Sequence, residues 1–277
     1  MERKESSIPF VGLHAHSVAS VFDGLGYPQE HMDFAYGNGM DALALTDHGN
    51  MNGLAYQVIH AKKMKEEGKD FKPIFGVEAY FIPSVEEWKE DYERTKKERA
   101  ESKKRQAKLD GDAAGATVED EGETKKVIKS SLNKRRHLIL LAQNQKGLNN
   151  IFQLISKSYN EGNHYRFPRV DYDMLQEHNE GVIAASACLG GVYAGDFWEH
   201  RETGDEAVLE AMRSTSRRMV EIFGDRWYAE LQWNRVEEQH HLNQYIIKIA
   251  KEFGIRLIST ADSHYPNPEA WKHREIY

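Results

Sequence analysis

One cysteine, Cys188, in 277 residues excludes an internal disulfide framework and leaves its thiol for packing, metal or redox chemistry. No apolar run approaches the roughly 20 residues that span a bilayer, and residues 1–7 are polar, without the apolar core of a signal peptide. These absences predict a soluble, cytoplasmic protein. Basic charge is also short: 37 Lys and Arg stand against 44 Asp and Glu. Residues 84–136 carry 15 basic and 13 acidic side chains, so the remainder holds 22 and 31 and is the more acidic part. An acidic body is a poor nonspecific binder of nucleic acid. Active-site carboxylates, with divalent cations to offset them, would account for part of that charge.

The 40% hydrophobic content suffices for a real core. Apolar runs at 8–16, 41–47, 73–83, 137–142, 181–191, 227–232 and 256–264 predict seven strands. Between them, apolar positions at helical spacing predict helices near 28–37, 52–67, 148–159, 171–177, 205–223 and 242–253, with another begun at 268. Alternation of strand and helix with short connections argues for a parallel α/β sheet closed into a (β/α)7 TIM-like barrel, with an open doubly wound sheet as the alternative. Residues 1–277 are read as a single domain, interrupted by a charged surface insertion at 84–136. Within the insertion, 86–109 fits a solvated helix, 110–124 a flexible link, and 125–136 carries six basic residues and no acidic one. The insertion is either a surface elaboration without catalytic importance or a basic arm for a nucleic-acid backbone.

The chemistry gathers at strand ends. His14 and His16 are one residue apart, and strand side chains alternate with period two, so both imidazoles face one side and can share an ion. Asp262 and His264 repeat the spacing on the last strand. Asp23, His48, His137 and Cys188 fall near other strand ends, and Glu78 sits in the middle of an apolar strand where a carboxylate needs a partner. Any one of these has an ordinary structural explanation. Together, nitrogen, oxygen and sulfur donors on one rim suit zinc, manganese or iron and exceed what one ion can use. More than one metal is expected, with Glu78 free to bridge.

The set His14-x-His16, Asp23-Gly-Leu, Leu45-Thr-Asp-His48-Gly-Asn-Met, Gly76-Val-Glu78-Ala-Tyr, His137-Leu-Ile-Leu-Leu-Ala, Ser186-Ala-Cys188-Leu-Gly-Gly and Asp262-Ser-His264-Tyr resembles the PHP (polymerase and histidinol phosphatase) family. Within it, the chain is most similar to the PHP domains of bacterial-type replicative DNA polymerase III alpha subunits. The resemblance runs from about residue 10 to the end, interrupted by the insertion. It implies a distorted seven-stranded barrel, two to three divalent ions and, where the ligands are intact, phosphoesterase activity, in some polymerases a proofreading 3′-5′ exonuclease. It places His14, His16, Glu78 and Asp262 around one metal, Glu78, His137 and Cys188 at a second, and Asp23, His48 and His264 at a third.

The resemblance further implies a metal-bound water as nucleophile, with no side chain assigned. Asp47 and Glu230 are candidates for orienting a ligand from behind, and Arg166 and Arg169 for gripping a phosphate. The expected function is hydrolysis of nucleic-acid phosphodiesters, with a single-stranded DNA 3′ end as substrate and a polymerase core or replication subunits as partners. A catalytically silent, metal-stabilised scaffold and a small-molecule phosphomonoesterase are the alternatives. No segment resembles a polymerase palm domain, so polymerisation by this chain alone is not expected.

Overall fold

The computed structural model describes residues 3–5, 10–112, 135–160, 166–274 and 276. Its frame is a six-stranded sheet in chain order: β1 (Ala42–Leu45), β2 (Lys72–Phe81), β3 (Arg136–Ala142), β4 (Val182–Ala185), β5 (Trp227–Gln232) and β6 (Arg256–Thr260). β1 and β2 are parallel, as are β4, β5 and β6, but β3 runs antiparallel to both of its neighbours. The sequence reading of seven parallel strands needs two corrections.

First, residues 10–16 form no extended strand. Gly12 bridges Leu43 on the β1 side and Ala15 bridges Ser263 on the β6 side, so the segment spans the gap between the two sheet edges with isolated pairings. Second, β3 starts where β2 ends, with Arg136 opposite Phe81. The intervening chain is therefore a long hairpin connection, which permits an antiparallel return, and not a crossover, which would require a parallel one. The reversal carries functional weight: His137 opens its strand, and only an antiparallel β3 brings it to the rim where the other strands end.

Helices α1 (Pro28–Gly37) and α2 (Leu54–Glu66) pack beside β1 and β2; α4 (Gln145–Ser158), α7 (Asp205–Phe223) and α8 (Glu237–Phe253) follow the predicted amphipathic runs. α3 (Val85–Asp112) opens the charged insertion as the solvated helix expected there, and α5 (Tyr172–Glu177) is the short helix expected near 171–177. α6 (Val192–His200) was not anticipated; it follows the Gly190–Gly191 turn directly and buries Tyr193 and Phe197. α9 (Trp271–Arg274) is one turn long. The link and most of the basic stretch expected at 110–136 lie outside the described residues. The two arginines that are described there are not part of a free arm: Arg136 is in β3, paired with Asp196 at 2.7 Å, and Arg135 stacks on Phe167. Among the described residues no helix is long and apolar enough to cross a membrane.

Strand periodicity divides the sheet into two faces. Val77, Ala79, Phe81, Leu138, Leu140, Val182 and Ala229 point outward into the main core under α4 to α8. The alternate residues point inward. At one end of the concave face Ile74, Leu141, Ile183, Tyr228 and Ile258 make an apolar floor with Ile139 and Ala185. At the other end the same register presents Glu78, His137 and Glu230. Glu78 thus lies inside an apolar strand because it is the polar end of an inward row.

Candidate metal centre

All nine proposed ligands surround this end of the sheet. Glu78, fully buried, is the hub: its Oε2 lies 2.7 Å from His14 Nε2 and 3.5 Å from His16 Nε2, and its Oε1 lies 2.6 Å from His137 Nδ1 and 2.9 Å from His48 Nδ1. Asp262 Oδ1 stands 3.2 and 3.3 Å from the same nitrogens of His14 and His16. Asp23 Oδ2 meets His48 Nε2 at 2.7 Å and His264 Nε2 at 3.2 Å. Cys188 Sγ is 3.5 Å from His137 Nδ1.

Three groups have donor atoms close enough together to share an ion: His14, His16, Glu78 and Asp262; His48, Glu78 and His137; and His16, His48 and His264. The partition differs in detail from the one the resemblance implied. His48 reaches Glu78 as well as Asp23, and Cys188 stands beside the second group without joining it. Backbone strain concentrates here too: the four described non-glycine residues with positive φ are Phe22, Arg166, Ala187 and Asp262, three of them ligands or next to one.

Whether cations fit this site is tested by its unbonded atoms. Buried polar groups normally find partners, yet His16 Nε2, His48 Nδ1, Glu78 Oε1 and Asp262 Oδ1 are buried without a hydrogen bond. The His48 and Glu78 atoms are 2.9 Å apart and still not aligned for one. Lone pairs of imidazole and carboxylate converging in this way match the donor set of a divalent cation, and the residues fit the group.

The opposite ring nitrogens are fixed from behind. His14 Nδ1 bonds Glu230 Oε1 at 2.7 Å, and that oxygen also accepts from Thr260 Oγ1 and Gln232 Nε2. His16 Nδ1 bonds Ser20 Oγ at 3.0 Å; Ser20 donates to Asp47 Oδ1, which also accepts from Ser17 N. With Nδ1–H so engaged, each neutral ring presents its Nε2 lone pair toward Glu78 and Asp262. Ser20 and Thr260 were missed in the sequence because nothing in their spacing marks them. Tyr80 was legible in principle: two residues after Glu78, it shares the inward face and stacks on His48 with ring centroids 5.9 Å apart.

The phosphate-gripping arginines fare differently. Arg169 is fully buried, its guanidinium 4.0 Å from the Trp88 ring centre and donating to Phe167 O. Val170 pairs with Phe81, and Arg169 beside it is buried against Trp88 of α3 rather than facing solvent. Burial, aided by Arg135, lowers its pKa to about 10. Arg166 is exposed at the start of the same loop. Arg274, not anticipated, pairs with Asp23 Oδ1 at 2.5 Å.

Charge balance without metal falls to the histidines. Burial opposes the His48 cation, but the hydrogen bond to Asp23 and the close Glu78 carboxylate outweigh it and push the ring up to about 9. His14 is likewise raised, the charges of Glu230 and Asp262 overcoming burial. Burial pushes the Cys188 thiol well up, and Glu78 and Asp262 add to it. A His48 folded-state pKa above its unfolded value means that its stabilisation is complete below about pH 6.5 and is lost as pH rises through about 9. At pH 7.5 a metal binding His48 must therefore displace a proton. Adding zinc or manganese to metal-free protein in weak buffer should acidify the solution, read with a pH indicator dye; binding without proton release would show the ring already neutral.

Comparison with known proteins agrees with the sequence motifs. The family model described as PHP domain matches residues 12–234, a span that stops short of Asp262 and His264. DNA polymerase III subunit alpha of Aquifex aeolicus is 36% identical over 262 residues, covering 94% of this chain and 18% of that protein. The same subunit of Borreliella burgdorferi is 32% identical over 263 residues with the same coverage, and that of Thermus aquaticus 31% over 273 residues, covering 98% of this chain and 18% of that protein. The chain thus spans under a fifth of the length of these relatives and is homologous to their N-terminal region. A solved amidohydrolase structure from Chromobacterium violaceum superposes with a TM-score of 0.47 at 12% identity, over 96% of each chain.

Proposed function

This chain belongs to the PHP domain family, and from that premise we propose that it is a metal-dependent phosphoesterase that hydrolyses nucleic-acid phosphodiesters from a single-stranded 3′ end. The observation that carries the reading is the convergence of four buried, unbonded donor atoms on the rim shared by three ligand groups. His14, His16, Glu78 and Asp262 would hold one cation, Glu78, His48 and His137 with nearby Cys188 a second, and Asp23, His48 and His264 a third. Zinc, manganese and iron suit these donors. Bound there, such cations supply an acidified water near neutral pH and neutralise charge that builds on the phosphate oxygens.

The chain's own residues do the positioning. Glu230 and the Asp47–Ser20 pair hold His14 and His16 in one tautomer and one orientation. Glu78 supplies a negative charge: although burial opposes it, the His137 ring and, before a metal binds, the hydrogen bond from the raised His14 ring keep its carboxyl well below the usual range. Arg166, exposed beside Phe167, is the guanidinium we assign to the substrate's phosphate chain. Polymerisation by the relatives is a property of those longer proteins; a polymerase core or another replication subunit is the partner this domain would serve.

The test is hydrolysis of single-stranded oligonucleotides labelled at the 3′ or 5′ end, with and without chelator. Stepwise loss from the 3′ end, abolished by chelator and restored by added manganese or zinc, is the expected result. No cleavage of any strand by metal-replete protein would overturn the reading, and phosphate release from phosphomonoesters alone would redirect it to small molecules.

A further inference from the structure

The loop that carries Asp23 turns apolar side chains outward. Phe22 is 83% exposed, the most exposed large hydrophobic side chain among the described residues, and Val21 beside it is 71% exposed. Adjacent exposed apolar side chains that form a patch beside a site are candidates for contact with a ligand or partner. Phe22 also holds φ at 63°, a left-handed conformation that a bulky side chain rarely adopts.

The surroundings keep it there. On one side Ser20, fully buried, bonds His16 and Asp47 through its hydroxyl, accepts from His48 N, and receives the backbone N–H groups of Asp23 and Gly24 at its carbonyl. On the other side Asp23 is tied to His48, His264 and Arg274. Val21 and Phe22 are thus the two residues between anchors that both belong to the candidate centre. Consecutive Cα atoms are about 3.8 Å apart, so the Phe22 ring starts one residue from the third ligand group. The Phe22 backbone is held between two anchors at the rim, and its ring faces solvent.

We propose that Phe22 is a stacking platform for a nucleobase of the single-stranded nucleic acid whose phosphodiester lies at the candidate metal centre. The proposal deepens the phosphoesterase reading and rests on it. Its physical logic follows from charge: a chain of net charge −7 gains little from the phosphate backbone, so affinity for a strand has to come largely from the bases. Stacking on an exposed ring serves that purpose without selecting sequence, because every base has a π face. Farther along the chain Tyr27 packs against Tyr56, ring centroids 6.2 Å apart and both about half exposed, a second solvent-facing aromatic pair.

The experiment compares the metal-loaded chain with Phe22→Ala and Phe22→Trp, using a short single strand of DNA and the same strand with abasic 3′-terminal residues. Anisotropy of a labelled strand should show Phe22→Ala weakening the intact strand about tenfold while leaving the abasic strand unchanged. Phe22→Trp should retain affinity, and the added indole emission should be quenched by the intact strand alone. Where hydrolysis is measurable, Phe22→Ala should raise KM about tenfold with kcat within about twofold. Equal effects on both strands, or none on either, overturn the proposal and favour a protein partner for this tip. Stacking that is seen with no strand cleaved would support the platform while defeating the phosphoesterase reading, and cleavage with unaltered kinetics in Phe22→Ala would do the reverse.

Discussion

Replacing Glu78 with glutamine should strip metal from the centre and lower hydrolysis by at least about 100-fold while the protein remains folded. Among the described residues, Glu78 is the one carboxylate whose two oxygens serve different ligand groups, Oε2 toward His14 and His16 and Oε1 toward His48 and His137. Glutamine has nearly the same volume, so the inward row of β2 stays packed. It removes the buried negative charge, however, and puts an N–H donor where one oxygen faced a ligand nitrogen. Elemental analysis should show the metal content falling in step with activity, and circular dichroism an unchanged fold. Full metal content with full turnover in Glu78→Gln would remove Glu78 from the centre.

Chelation of the wild-type chain should lower its melting temperature by about 5–10 °C for each occupied site saturated at about 100 times its dissociation constant. That concentration of ion stabilises the folded state by about 2.7 kcal/mol, and a chain of this size shifts its midpoint by roughly 2–4 °C per kcal/mol. The direction follows from the donors. Without cations, Glu78 and Asp262 face histidines that must carry protons against burial, and Asp23 has Arg274 besides its histidines. Calorimetry before and after chelation, with zinc or manganese added back, reads the shift. A midpoint indifferent to chelator would mean that no ion is held by the folded chain. A large shift in a protein that cleaves nothing would instead identify the silent scaffold.

Much of this was legible in the sequence, for definite reasons. Apolar runs and amphipathic stripes marked all six strands of the sheet and helices such as α7 and α8, because burial on one face imposes a period on the chain. The two x-spaced pairs, His14 with His16 and Asp262 with His264, marked donors of the centre, although neither pair lies in an extended strand: 10–16 makes only isolated bridges, and Asp262 and His264 follow β6. The direction of β3 was not legible, since parallel and antiparallel strands carry the same alternation. α6 escaped because it is short and begins at two glycines, and because Gly195 within it makes room for Arg136. Arg169 read as a candidate for gripping a phosphate because nothing local announces that the distant Trp88 will cover it.

What the sequence determined by itself was the inventory: which donors are present, which come in x-spaced pairs, and that they are too many for one ion. Which donors meet was decided only by the tertiary structure. The antiparallel β3 carries His137 to the rim, and the bridging of residues 12–15 to both sheet edges brings His14 and His16 against Glu78 and Asp262. Ser20, Thr260 and Arg274 joined the site by the same route. The physical reason is that side-chain periodicity is a local property of the backbone, whereas the meeting of residues more than 200 positions apart depends on how the sheet curls and closes.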